Sequence, residues 1–171
     1  MNRLFKSSLM VAAMLPALAL AAPAPGDREV TLSGGGSSDK DFNDTVMSIN
    51  GSWGTYLDES SMWGIRQTIN ARDSEGESVQ FDGATRLFYD YHFGTGNTRP
   101  FVGLSLGGIY GEEVDESFMG GPELGIKHWV QDKTFVTAMV EYQFLFKSGS
   151  DARDRYDDGA FFYSVGLGYN F

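Results

Sequence analysis

From Asp27 onward the chain alternates apolar and polar positions with period two, the spacing that puts successive side chains on opposite faces of a strand. The last segment is the clearest. From Phe161 to Phe171, Phe161, Tyr163, Val165, Leu167, Tyr169 and Phe171 share one face, opposite Phe162, Ser164, Gly166, Gly168 and Asn170. Thr134 to Lys147 opposes Val136, Ala138, Val140, Tyr142, Phe144 and Phe146 to Thr137, Met139, Glu141, Gln143, Leu145 and Lys147. Val79 to Phe93 sets Val79, Phe81, Leu87, Tyr89, Tyr91 and Phe93 against Gln80, Asp82, Arg86, Asp90 and His92. The same pattern, more weakly, predicts strands over Thr45 to Leu57, Ser61 to Arg72, Pro100 to Tyr110 and Phe118 to Val130. Pro122 cannot donate to a ladder, so the last of these is expected to begin late or to bulge there. A first strand at about Arg28 to Gly35 makes eight, and Gly34-Gly35-Gly36-Ser37-Ser38 reads as loop.

These strands exceed the usual soluble length of about 5 to 6 residues and match the ~9 to 11 that a tilted membrane strand needs. Their connections broadly alternate. Gly36 to Asp44, Asp73 to Ser78, Gly111 to Ser117 and Ser148 to Ala160 are the longer ones. Asp58-Glu59-Ser60, Gly94 to Arg99 and Gln131-Asp132-Lys133 are the tighter. An even strand number, long loops at one end and short turns with both termini at the other is the plan of a transmembrane barrel. The fold class expected is therefore all-β, an eight-stranded antiparallel up-and-down barrel. In that topology Trp53, Trp63, Phe93, Tyr169 and Phe171 fall near the short-turn end, and Tyr110, Phe144, Phe146 and Phe161 near the loop end. Two aromatic girdles are what the two membrane interfaces select.

Composition sharpens this picture. The mean hydropathy is slightly negative, which argues against a helical membrane protein but not against a barrel, whose polarity lies in its lumen and loops. The 171 residues carry 13 Lys and Arg against 23 Asp and Glu, a net charge of −10 that disfavours nucleic acid as a partner. The absence of cysteine excludes disulfides, thiolate metal sites, a cysteine nucleophile and an N-terminal lipoprotein anchor. No charge needs to lie on the outer face, where it would cost about 2 to 4 kcal/mol at the bilayer midplane. The longer loops hold fourteen acids against Lys40, Arg153 and Arg155. Facing inward are Arg66, Arg72, Arg86, Lys127 and Lys147 with Asp82, Asp90, Glu123 and Glu141. Glu29 and Arg99 are assigned to the start of the chain and a short turn.

The N-terminus reads as an address. Arg3 and Lys6 precede an apolar run from Leu9 to Leu20, and Ala19-Leu20-Ala21 offers small residues at signal-peptidase spacing, with Ala17-Leu18-Ala19 as the competing site. Residues 1–21 are expected to be a cleaved signal peptide and 22–171 the barrel domain. Loss of Arg3 and Lys6 takes the net charge to −12.

The terminal Tyr169-Asn170-Phe171, preceded by Tyr163, Val165 and Leu167 at every second position, resembles the C-terminal signal of bacterial outer-membrane barrels. The whole of Asp27 to Phe171 resembles the small eight-stranded barrels typified by the OmpA membrane domain and OmpX. The resemblance implies a Gram-negative origin and an outer-membrane location, with loops outside and termini in the periplasm. It also implies a monomer whose partners are outer-membrane lipid, lipopolysaccharide and the barrel-assembly machinery that reads the terminal Phe171. Unlike OmpA, the sequence has no peptidoglycan-binding domain after the last strand, so no cell-wall tether is implied.

An eight-stranded barrel is just wide enough for side chains to fill. Arg66, Arg86, Asp90, Glu123, Lys127 and Glu141 are expected to form an internal ion-pair network, with small residues such as Gly103, Gly107, Gly125 and Ser164 making room. The favoured reading is a structural plug; the resemblance to OmpA-type barrels suggests a gate passing small ions as the alternative. An enzyme is not expected. His128, in Lys127-His128-Trp129-Val130, lacks the serine two residues on that marks the lipid A deacylase barrels, and His92 falls near the short-turn end. No cofactor or metal is expected either. Asp39-x-Asp41-x-Asn43 begins like a calcium loop, but Asp44 stands where Gly is required and Asn50 where Glu is; Asp151 to Asp158 is similarly incomplete. A soluble lipocalin-like carrier would use the same alternation with the apolar face turned inward.

Overall fold

The computed structural model describes residues 23–39, 45–72, 80–111, 117–146 and 159–171. Residues 1–21, expected to be a signal peptide, lie outside these residues, as do Val79, Lys147, the two calcium-like segments beyond Asp39, most of the acidic loops and the side chains of Arg72 and Phe146.

Eight strands follow one another: β1 (Arg28–Asp39), β2 (Thr45–Tyr56), β3 (Ser61–Arg72), β4 (Gln80–His92), β5 (Thr98–Gly111), β6 (Ser117–Trp129), β7 (Thr134–Phe146) and β8 (Ala160–Asn170). Each pairs antiparallel with its sequence neighbours, and β1 pairs with β8, closing the sheet into a barrel. Closure leaves no edge strand, so every ladder has a partner. A circuit of cross-strand partners that starts at Arg28 returns at Ser38, a stagger of ten residues. That stagger tilts the strands by roughly 40°. At about 3.3 Å per residue, strands of 11 to 14 residues then climb roughly 28 to 35 Å, enough for an apolar band ~25 Å tall.

The side chains sort inside out. Leu32, Ile69, Leu87 and Val165 point outward and are more than half exposed, whereas Arg86, Asp90 and Glu141 are 0 to 2 % exposed inside. A lipocalin-type carrier needs the opposite arrangement.

Two sequence expectations are corrected. Gly34 to Ser38 is strand, paired to β2 on one side and β8 on the other. Glycine is weakly strand-forming in isolation, but here it suits a close approach: a Cβ on Gly35 would sit 2.3 Å from the Tyr163 carbonyl oxygen. At Pro122, β6 neither starts late nor bulges. Its pairing to β7 lapses at Gly121 and Pro122 and resumes at Glu123 in unchanged register, because proline has no N–H to donate.

Candidate functional site in the lumen

The inward faces build two layers. At the short-turn end, Lys127 donates to both carboxylate oxygens of Glu29, at 2.7 and 2.9 Å, and Glu29 also accepts from the Tyr56 hydroxyl at 2.9 Å. The rings of Tyr56, Phe101 and Phe135 surround the Lys127 ammonium at 5.7, 5.6 and 5.2 Å, within the range of cation–π attraction. Trp129 Nε1 donates to Asn170 Oδ1 at 3.1 Å. His92 Nδ1 meets the Ser60 carbonyl at 3.0 Å, and Arg99 Nη2 donates to the Glu59 carbonyl at 2.5 Å, so the β2–β3 turn is tied across this mouth.

Halfway up lies the second layer. Arg66 donates to both carboxylate oxygens of Glu123, at 2.8 and 3.3 Å, and its Nη1 lies 3.8 Å from Glu141. Arg86 donates to Glu141 and, at 3.1 Å, to Thr68 Oγ1; Ser105 also donates to Glu141. Asp90 sits beside this group, 2 % exposed, with no hydrogen-bond partner on Oδ1. Of the six residues assigned to the network, Arg66, Arg86, Glu123 and Glu141 are thus bonded into one cluster. Lys127 belongs to the layer below, and Asp90 joins the cluster through a side-chain hydrogen bond with Glu123. Between the layers is a cavity of about 30 Å³.

Large inward groups face cross-strand glycines. Phe88 lies opposite Gly64, Phe101 opposite Gly125, Phe135 opposite Gly168 and Arg86 opposite Gly107. A Cβ on Gly168 would come within 2.0 Å of the Phe135 ring. The interior thus alternates large and absent side chains on neighbouring strands.

Sequence reasoning missed Glu29 and Arg99, which are inward strand residues rather than turn residues, each nearly fully buried. It also missed that the lumen is as aromatic as it is charged. Glu29 was detectable: it alternates with Val30 and Leu32, both exposed outside.

The remaining assigned residues whose side chains are described lie on the outer face. Tyr163, Val165, Leu167, Tyr169 and Phe171 all point outward, as do Trp53, Trp63 and Phe93 near the short turns. Tyr110 folds back toward the barrel's middle, its hydroxyl 2.5 Å from Gln67 Nε2 and 3.1 Å from Thr85 Oγ1. Phe144 joins an edge-on cluster through Tyr142, which also meets Phe161. His128 is on the outer face too, its Nδ1 2.7 Å from the Thr98 hydroxyl. Among the described residues no group of three or more His, Cys, Asp or Glu is arranged to hold a metal ion.

No protein-family model and no curated protein matches the chain. Solved structures do. The N-terminal β-barrel domain of Pseudomonas aeruginosa OprF superposes with a TM-score of 0.60 at 17 % identity, covering 87 % of this chain and 100 % of that one. Neisserial surface protein A gives 0.63 at 16 % identity, covering 85 % and 96 %. P. aeruginosa outer membrane protein H gives 0.61 at 16 % identity, covering 85 % and 99 %. The chain has the fold of the small eight-stranded outer-membrane β-barrels.

Proposed function

We propose that the protein is an integral outer-membrane barrel with a structural or surface-interaction role, its lumen closed by side chains. The observation that carries this reading is the inside-out wall. A closed ladder with an apolar exterior and paired charges within suits hydrocarbon, where every backbone polar group must be satisfied internally. The acidic loops face the exterior, the termini face the periplasm, and the barrel works as a monomer surrounded by lipid and lipopolysaccharide. The exposed stripe Tyr163, Val165, Leu167, Tyr169, Phe171 serves the assembly machinery during insertion. Fractionation tests the location: the protein should require detergent for extraction, and recovery in the soluble periplasmic fraction would sink it.

One observation favours minor permeability as a second reading. Arg66 Nη1 stands 2.8 Å from Glu123 and 3.8 Å from Glu141, so a small side-chain movement exchanges its partner. Glu141→Ala separates the readings in planar bilayers. A plug predicts an unchanged, near-zero trace with lower stability; a gate predicts altered opening.

A further inference from the structure

We propose that a trough on the outer wall holds an acyl chain of one glycerophospholipid from the leaflet at the short-turn end, with the headgroup phosphate at His128 and Thr98. The site rests on the membrane location proposed above. The trough has a volume of about 750 Å³, and every described residue lining it is uncharged. Its floor follows one line of cross-strand partners. Gly34 on β1 pairs with Val165 on β8, Val165 with Ala138 on β7, Ala138 with Ile126 on β6, and Ile126 with Pro100 on β5. Gly34 presents no side chain and Ala138 only a methyl group, so the wall dips where the larger Tyr163 and Leu124 stand beside them.

What the trough fits is decided at its foot. Gly34 is six residues into β1 and Pro100 two into β5, so the line descends toward the short turns. One outward pair further down, His128 lies opposite Thr98, and its Nδ1 is 2.7 Å from the Thr98 hydroxyl. Residues two apart on a strand stand about 7 Å apart, so an apolar channel runs directly into a polar end. That is the outline of an amphiphile. A neutral imidazole whose Nδ1 accepts the Thr98 hydroxyl carries its proton on Nε2, a donor for a phosphate oxygen. The depth fits as well. Four strand-to-strand steps of ~4.8 Å, along strands tilted by roughly 40°, descend roughly 12 Å. One leaflet, half of a ~30 Å hydrocarbon core, is ~15 Å deep.

A second copy of the barrel suits the trough less well. A two-fold interface applies the same patch to itself. Hollow would then face hollow, and atoms lining an unfilled space lose their contacts outright. A flexible acyl chain follows the floor along its length, and its phosphate gives His128 the acceptor that another apolar wall lacks.

Two glycines supply the test. Gly34 and Gly51 pair with the outward residues Ile49 and Leu32, and an added Cβ at either meets nothing within 4 Å. Leucine therefore fits at both positions, but only Gly34 lines the trough. The refolded barrel in detergent micelles is titrated with palmitoyl-oleoyl phosphatidylethanolamine and read by native mass spectrometry. Wild type and Gly51→Leu should retain one lipid per barrel, and Gly34→Leu should bind it about tenfold more weakly. His128→Ala should also weaken that lipid, while leaving unchanged the weaker binding of a diacylglycerol with the same chains and no phosphate. Equal binding by the two leucine variants overturns the trough, and an unaltered His128→Ala titration overturns the headgroup contact. A barrel dimer that Gly34→Leu abolishes overturns the site in favour of a second copy. A barrel that needs detergent for extraction yet fails these arms loses only this site, whereas recovery in the soluble fraction removes the membrane location with it.

Discussion

The two lumen layers solve one problem in opposite ways. At the short-turn end the ion pair is fixed and has apolar walls: Lys127 has Glu29 and three rings. In the middle layer Arg66 reaches two carboxylates and a third acid, Asp90, is unbonded at Oδ1. A charge with one partner in a dry box has nowhere else to go, whereas a charge in a shared cluster does. The first arrangement gives rigidity; the second gives tolerance and alternative states.

This contrast sets the order of mutational effects. Lys127→Ala strands Glu29 without its cation, and removing one partner of a buried pair costs about 3 to 5 kcal/mol. Glu123→Gln should cost only about 1 to 2 kcal/mol, because Arg66 has Glu141 to turn to. Urea unfolding of both variants in one detergent measures the gap, and equal losses would erase the distinction between the layers.

Gly168→Ala sharpens it at the sealed end. The added methyl group meets the Phe135 ring, and overpacking of this kind costs about 1 to 3 kcal/mol. Phe135→Leu in the same chain should restore much of the loss if the clash is the cause. No restoration would mean the backbone, not the ring, resists the change.

The smallest effect belongs to the turn beneath that layer. The Ser60 and Ser61 amides donate to Asp58 Oδ1 at 2.7 and 2.8 Å, holding its carboxyl below the ordinary carboxylate value. A carboxyl depressed by folding stabilises at neutral pH, and that contribution is lost as pH falls through its folded-state value, below the ordinary 3.8. Asp58→Ala should therefore melt slightly lower than wild type at pH 7, with the two curves converging in strong acid. Melting midpoints across that range check it.

The outer wall was legible in the sequence because hydrocarbon permits little there. Nearly every second residue had to be apolar, so strand number, phase and aromatic placement followed. The lumen was less legible because its rule is to fill space and satisfy polar groups, which many residues do. Phe88, Phe101 and Phe135 follow strand phase inward, but only register shows the glycine opposite each that makes room for it. Arg99 sits after a turn-like Gly94 to Asn97 and before Pro100, and only the pairing of Thr98 with His128 draws it into β5. The glycine tract at Gly34 to Gly36 followed local preference into a loop assignment that closure of β1 onto β8 overrides.

The lapse at Gly121 and Pro122 gives this closed wall a seam. In a ring every pair of strands is held by its own ladder, and the ring opens at whichever ladder yields first. The β6–β7 junction has two consecutive positions without pairing, and on its outer side Gly120, Gly121 and Pro122 line a shallow apolar hollow with Leu104, Leu106 and Phe144. The two strands still lie close across the gap, since a Cβ on Gly121 would fall 1.7 Å from the Tyr142 carbonyl oxygen, so any side chain at that position would have to force them apart.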